Sequence, residues 1–335
     1  MRMYLRIIRA ALVLVHVIIL SLAGRLFFES LAARGAKPQT VLFDVDKGKG
    51  VRAIAAALEQ KGIIRKQWRF VLQYEFFFSP KSLKAGEFQF RSSQSTQEIL
   101  EDLIRGKIYL HPVTIAEGLT ARELIADFLA AGFGTAEEFI KAFDEPDAIS
   151  AWDEKARNLE GYLFPETYFL PKSIPAGGIF EKMVSQFKAV FDESWRRRTS
   201  ELRMSVRDVV TLASLIEKET SLPDEKTLVS AVFHNRLRRG MRLDCDPTII
   251  YALKQKGHFE GRLRAKDLKL DSPYNTYLYP GLPPGPICNP GQGSLRAALD
   301  PAPEDYLYFV SRNDGSHAFS RSLKEHQMAV KRYQN

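Results

Sequence analysis

Cysteine is almost missing from this 335-residue chain, which has Cys245 and Cys288 and no others. Neither sits in a CxxC or Cys/His spacing that would hold a metal. The two thiols either pair in an oxidising compartment or lie as small buried residues in loops. The six histidines do not cluster and no HExxH occurs, so no metal centre is expected. A GxSxG elbow is absent, which excludes the commonest serine-hydrolase signature. GxGxxG and P-loop patterns are absent too, so no nucleotide cofactor is expected. No long low-complexity tract occurs. Charge of one sign is nowhere concentrated: 48 basic and 40 acidic residues give a formal +8, and the basic ones are dispersed. The densest cluster, Arg196–Arg198, has no interleaved aromatics on which bases would stack, so nucleic acid is not expected as a partner. A spread positive charge suits an anionic surface polymer or lipid head groups instead.

The length and a 45% hydrophobic content suffice for two domains with real cores. Arg2, Arg6 and Arg9 precede an apolar stretch from Ala10 to about Phe28, broken by His16 and Arg25. Positive charge ahead of such a stretch predicts a cytoplasmic N-terminus and an exported remainder. The expectation is a retained single-pass anchor over residues 1–33, with Arg25 snorkelling. A signal peptide cleaved near Ser21, Ala23, Ala32 or Ala33 is the alternative.

A short linker is expected over 34–40. Thr40–Asp46 alternates as a strand, with Val41, Phe43 and Val45 on one face. Val51, Ile54 and Leu58 mark a helix ended by Gly62, and a second helix spans about 66–77. Gly86–Arg91 alternates again. Strand, turn, helix and Gly recur near 45–62, 89–106 and 114–134, which suggests internal duplication. The first two copies enclose the 66–77 helix and form a small α+β module over 40–112. Its β-α-α-β order is related to that of the sugar-binding LysM module, and such modules bind rather than catalyse. From 113 to 335 a larger mixed α+β domain follows. Helices are expected at about 121–131, 135–143, 179–197, 223–240 and 246–253, the last with Asp246-Pro247-Thr248 as its cap and first turn, and a short one at 294–299. Residues 159–171, LEGYLFPETYFLP, read as a rigid segment in which Glu160 and Glu166 are surface charges. The Pro-, Gly-, Tyr- and Asn-rich stretch 272–293 reads as an ordered, functional loop. A strand at 306–310 pairs with 315–320, and an amphipathic helix closes the chain.

The most informative stretch is 205–220. Ser205 with Asp208 forms a capping-box pattern. Val209, Leu212, Ala213 and Ile216 then make one apolar stripe at about 100° per residue. Glu217 lies at one edge of that stripe, beside the small Ala213 and Ser214. Glu219 lies at the other, beside Leu212 and Leu215. Lys218 points to solvent. The pattern supports two readings: a carboxylate brought to a cleft through its small-residue edge, or two boundary glutamates, one paired with Lys218 or an arginine. With the other mechanisms excluded, carboxylate acid–base chemistry beside an aromatic and amide-rich loop remains, and those groups suit a sugar polymer.

IEKET, then FxNRLxxGMxLxxDPTxxYAL, then SPYNTYxxxGLPPGPIxNPG, with YLYFV and HxFS behind, run in order from Ala213 to Ser320. Together with the upstream EGLT and LEGYLFPETY blocks, they resemble the endolytic murein transglycosylase (YceG-like) family over essentially the whole chain. The resemblance implies an N-terminal anchor, a LysM-like module and a catalytic domain, with the active part in the periplasm on the inner membrane. It implies internal cleavage of nascent peptidoglycan strands at the MurNAc-β-1,4-GlcNAc bond, with 1,6-anhydro ends and control of strand length. Glu217 would be the single catalytic acid and base, its proton held by burial against Val210 and Ala213. Asn235, Arg236, Asp246, Thr248, Asn275 and Tyr277 match family motifs and would line sugar subsites or hold the Glu217 loop; Glu219 would be structural. Peptidoglycan, membrane lipid through the first helix, and peptidoglycan synthases are the partners implied. Cys245, Cys288 and His234 depart from the family pattern. A non-catalytic cell-wall scaffold and a water-using glycoside hydrolase, with Glu219 or Asp246 as second acid, are the competing readings.

Overall fold

A computed structural model describes residues 2–31 and 39–334, with side chains in the first helix described at 8, 9 and 11–24. The fold is mixed α+β. The chain divides into two compact units, residues 1–111 with 169–173, and 112–168 with 174–335.

The first unit begins with helix α1, Arg2–Leu31. Among the described residues, no helix is long and apolar enough to cross a membrane. The anchor expected over 1–33 and the linker expected over 34–40 fall in part on residues outside those described. Strand β1 (Thr40–Val45), helices α2 (Val51–Gln60) and α3 (Gln67–Phe77), strand β2 (Gly86–Arg91) and helix α4 (Thr96–Arg105) follow. β1 and β2 are antiparallel, with Phe43 opposite Phe88 and Val41 opposite Phe90. Period-two alternation puts Phe43, Val45, Phe88 and Phe90 on the buried face. Ile54, Leu58, Phe70, Ile99 and Leu103 from the three helices complete the core. Each such side chain contributes about 1.5–3 kcal/mol on burial. The β-α-α-β order expected from the sequence is present.

The second unit carries β3 (His111–Thr114) from Pro112 onward, α5 (Ala121–Ala130), α6 (Ala136–Phe143), β4 (Thr167–Leu170) as far as Tyr168, α7 (Ala176–Val190), α8 (Glu193–Glu201), α9 (Val206–Glu219), α10 (Pro223–Arg238), α11 (Asp246–Gln255), α12 (Gln292–Leu299), β5 (Tyr308–Ser311), β6 (His317–Ser320) and α13 (Leu323–Tyr333). Ile115 N–H donates to the Glu166 carbonyl at 3.0 Å, which joins the segments after β3 and before β4. β5 and β6 form an antiparallel hairpin.

Helix α9 is the centre of this unit, packed by α8, α10, α11 and α12. Its capping box forms as expected: Asp208 N–H donates to Ser205 Oγ at 3.1 Å, and Ser205 N–H to the Asp208 carboxylate at 2.9 Å. The single apolar stripe, however, is too narrow a description. Every residue from Val209 to Ile216 is buried, including Thr211 and Ser214. A helix enclosed on all sides has no solvent face until its last turn.

Three expectations are corrected. The helix expected over 179–197 is two, because Phe191 turns inward onto Phe187, 5.5 Å between ring centroids, and breaks the run. Asp192 then caps α8, accepting from the Ser194 and Trp195 amides. The strand expected at 306–310 starts at Tyr308, because the carbonyls of Tyr306 and Leu307 are taken by Asn235 and Arg236. Cys245, not Asp246, is the N-cap of α11.

Removing the Ser205 hydroxyl leaves a donor of α9 unpaired. Ser205→Ala is expected to destabilise the chain by about 1 kcal/mol, read as a lower urea midpoint with an unchanged slope.

Candidate functional site

Glu217 lies in the last turn of α9, where burial ends, and its side chain is 8% exposed. Two other helices reach its carboxylate. From α10, Lys226 Nζ lies 3.2 Å from both Oε1 and Oε2. From the start of α12, Ser294 Oγ donates to Oε2 at 2.6 Å and Gly291 N–H at 3.1 Å. Gly291 is the N-cap of α12, so the carboxylate also meets the positive end of that helix. Hydrogen bonds to a charged group contribute about 1.5–3 kcal/mol each.

Burial against Val210 and Ala213 was expected to surround Glu217. The structure surrounds it instead with a lysine, a hydroxyl and an amide. The small-residue edge is not open either. Ser214 Oγ accepts from Ile287 N–H at 3.0 Å, and the Cys288 thiol donates to the Ser214 carbonyl at 3.4 Å, so the 272–293 loop fills the space that small side chains leave. The loop at 117–118 lies on a further side. Gly118 faces the Glu217 Cγ, where a Cβ would stand 3.4 Å away. Glu117 Oε2 lies 3.7 Å from Lys226 Nζ, and Glu117 is half-exposed.

Asn289 ties the loops of this site together. Its Oδ1 accepts from the Gly161 and Leu163 amides at 2.9 and 3.0 Å. Its Nδ2 donates to the Leu119 carbonyl at 3.0 Å and to Glu160 Oε1 at 3.2 Å. The backbone of Asn289 pairs with Leu119 and Gly118. Gly161 has φ +87°, and a Cβ there would stand 2.4 Å from Pro286, so only glycine lets the 159–164 segment lie this close to the loop.

Glu160 was read as a surface charge. It is buried, 5% exposed. It accepts from Ala121 N–H at 2.9 Å and from the Tyr251 hydroxyl at 3.2 Å. Burial pushes its carboxyl up to about 7 despite these donors. It lines a cavity of about 390 Å³ with Tyr251, Phe143, Lys254 and Phe259. Glu166, by contrast, is exposed as expected. Glu219, at the other edge of α9, is also pushed up to about 7 by burial, and it accepts from the Cys245 thiol at 3.0 Å.

A family model described as the YceG-like family matches residues 43–332. This chain belongs to the YceG-like family. An endolytic murein transglycosylase of Bacillus subtilis is 31% identical over 312 residues, covering 88% of this chain and 85% of that protein. One of Streptococcus pneumoniae is 30% identical over 329 residues, covering 88% of this chain, which spans 58% of that protein's length. The crystal structure of a putative YceG-like protein of Listeria monocytogenes is 31% identical, has a TM-score of 0.58, and is matched over 86% of this chain and 98% of its own.

In this YceG-like chain the remaining motif residues hydrogen-bond to groups other than the Glu217 carboxylate. Asn235 is buried and donates to the Glu304 and Tyr306 carbonyls, both at 2.8 Å. Arg236 donates to the Leu307, Arg242 and Leu243 carbonyls and pairs with Asp244 at 3.1 Å. Thr248, fully buried, donates to the Cys245 carbonyl at 2.7 Å. Asn275, also fully buried, donates to the Leu268 and Leu270 carbonyls. Tyr277 donates to the exposed Asp246 at 2.7 Å. Arg236, Asp246 and Tyr277 line a cavity of about 560 Å³ together with Glu219 and His317. Both cysteines are buried and free.

Sequence reading missed Lys226, Ser294, Gly291, Asn289 and Glu160. Lys226 left no local signal, since it is nine positions from Glu217 on another helix. Asn289 stood in a quoted motif, and its role depends on three segments meeting in space.

Glu160, raised in the fold from an ordinary 4.5 to about 7, holds more protons folded than unfolded between those values. Its contribution to stability is therefore full below about pH 4.5 and lost as pH rises through about 7. Glu160→Gln keeps an acceptor for Ala121 and cannot titrate. Urea unfolding of the variant is expected to weaken less between pH 5 and 7.5 than that of the wild type; equal slopes would contradict the assignment.

Proposed function

We propose that this chain is an endolytic murein transglycosylase. As a lyase it cuts peptidoglycan glycan strands internally at the MurNAc-β-1,4-GlcNAc bond, leaves 1,6-anhydro-MurNAc ends, and so terminates strand polymerisation. The observation that carries this reading is Glu217 within a full set of donors at the end of a helix buried from Val209 to Ile216. The curated relatives' shared name supports the substrate class.

One carboxyl suffices for the chemistry. Protonated Glu217 gives its proton to the glycosidic oxygen as the C1–O bond breaks, which frees the GlcNAc 4-hydroxyl. The muramyl 6-oxygen then bonds to C1, and its proton passes to the Glu217 carboxylate. Atoms balance without water, and Glu217 regains in the second step the proton it gave in the first. Ser294 Oγ and Gly291 N–H fix the carboxylate's orientation. Asn289 and Glu160 hold the loops that frame it. Asn235, Arg236, Thr248 and Asn275 act by holding loop backbone, and Asp246 with Tyr277 are the motif residues offered to a sugar.

In the same reading the first unit is a LysM-like glycan-binding module and α1 a single-pass inner-membrane anchor, with the catalytic unit in the periplasm near peptidoglycan synthases. Leu12, Val13, Leu14, Ile18 and Leu20 of α1 are each more than half exposed, an apolar surface that lipid would cover. Replacing residues 1–39 with a cleavable export signal is expected to move the protein from the membrane to the soluble periplasmic fraction; continued membrane association would refute the anchor.

Mass spectrometry of products from uncrosslinked glycan strands tests the reaction. Wild type is expected to give internal fragments with anhydro ends, and Glu217→Gln to lose at least about 100-fold in rate. Reducing ends would indicate a hydrolase, equal cleavage by both a different acid, and no cleavage by wild type a scaffold.

A further inference from the structure

Lys226 is the least expected residue of the site. It is a lysine 7% exposed, and an ammonium so far from water needs anionic company. It has two partners of different kinds. Glu217 is as buried as Lys226 itself and lies 3.2 Å away. Glu117 is half-exposed, 3.7 Å away, on the loop before α5. Space is reserved for the second partner, because a Cβ on Gly291 would stand 1.9 Å from the Glu117 carboxyl. Gly291 thus both donates its N–H to Glu217 and leaves room for Glu117.

We propose that Lys226 is a positioning residue that sets the protonation state of Glu217, and that Glu117 is its alternate carboxylate, to which Lys226 swings when a glycan strand enters. The proposal rests on the transglycosylase reading. With Lys226 on Glu217 the acid is held as the carboxylate and cannot donate. With Lys226 drawn to Glu117, Glu217 takes up the proton it must give. Once that proton has gone to the leaving oxygen, the lysine returns and steadies the new carboxylate until the 6-hydroxyl is deprotonated. The same cation therefore restrains the resting enzyme and supports the transient anion.

The other charges on the packed elements are directed elsewhere: Glu225 of α10 is bonded to Thr220 and His317, and Asp224 of α10 and Arg296 of α12 are exposed. Lys218, on α9 itself, is turned to the Gly118 carbonyl at 3.3 Å. The Cys288 thiol, pushed well up by burial, is neutral. α11 directs Asp246 to Tyr277. α8 directs Arg196 and Arg198 to Glu193 and Glu201.

Two variants test this with opposite signs. Lys226→Met removes the cation, so Glu217 keeps its proton to higher pH. The alkaline limb of the cleavage rate is expected to rise by about one to two pH units. Glu117→Gln leaves Lys226 wholly on Glu217, so that limb is expected to fall by roughly half a unit, less because Glu117 is half in water. Lys226→Arg keeps the charge and is expected to leave the limb in place. A role confined to packing would lower the rate in all three without moving the limb. The second readout needs no turnover: ¹³C-carboxyl titration of Glu217 in the full chain, its signal identified by loss in Glu217→Gln, is expected to move in the same two directions. Limbs and midpoints that stay put, or move together, overturn the proposal. If Lys226→Met fails to fold, Glu117→Gln decides alone, because it alters a half-exposed side chain. Opposite midpoint shifts in a protein that yields no anhydro ends would sink the transglycosylase reading and leave the lysine's role standing.

Discussion

A carboxylate withdrawn from water has to be given donors, and the second unit is arranged around meeting that demand at Glu217. Helix α9 carries the residue out of a fully enclosed interior, so its carboxyl emerges where three elements converge rather than on an open face. Lys226 brings a charge, Ser294 a hydroxyl, and the N-terminus of α12 an amide and a dipole. The donors come from two helices, α10 and the start of α12, that are far apart in sequence. The loops between them must therefore be held to within a few tenths of an ångström.

Asn289 does much of that holding. Its amide answers four backbone and side-chain groups from two separate segments, which uses nearly all its hydrogen-bonding capacity. The glycines at 161 and 291 serve the same end by absence, since a side chain at either would press on Pro286 or Glu117. Loop backbone, not helix surface, is what most of the motif residues grip. Asn235, Arg236, Thr248 and Asn275 all direct their donors at carbonyl oxygens.

Much of this fold was legible because its signals are local. The Ser205–Asp208 cap, the alternation of Phe43 with Val45, and the strand–helix order of the first unit depend on residues within a few positions of one another. What was not legible depended on residues far apart in sequence. Thr211 and Ser214 look like the polar side of an amphipathic helix, yet both are buried, and Ser214 is covered by Ile287 and Cys288 of the 272–293 loop. Glu160 looks like a loop charge, and its burial follows from a tyrosine 91 positions downstream. The family motifs pointed to Glu217 as a position. They carried no information on its salt bridge, because Lys226 stands outside every block quoted.

Cys245 and Cys288 have a consequence for how the chain matures. Both are free, buried, and pushed to a more basic range by burial, Cys245 further so by Glu219 beside it. Thiolate is the form that oxidants and disulfide exchange attack, and these sites hold almost none of it. The thiols of the folded chain are therefore redox-silent. The chain requires no disulfide catalyst, it offers no exposed thiol for cross-linking to neighbours, and the vulnerability of its thiols to oxidation is confined to the interval before α9 and the 272–293 loop close over one another.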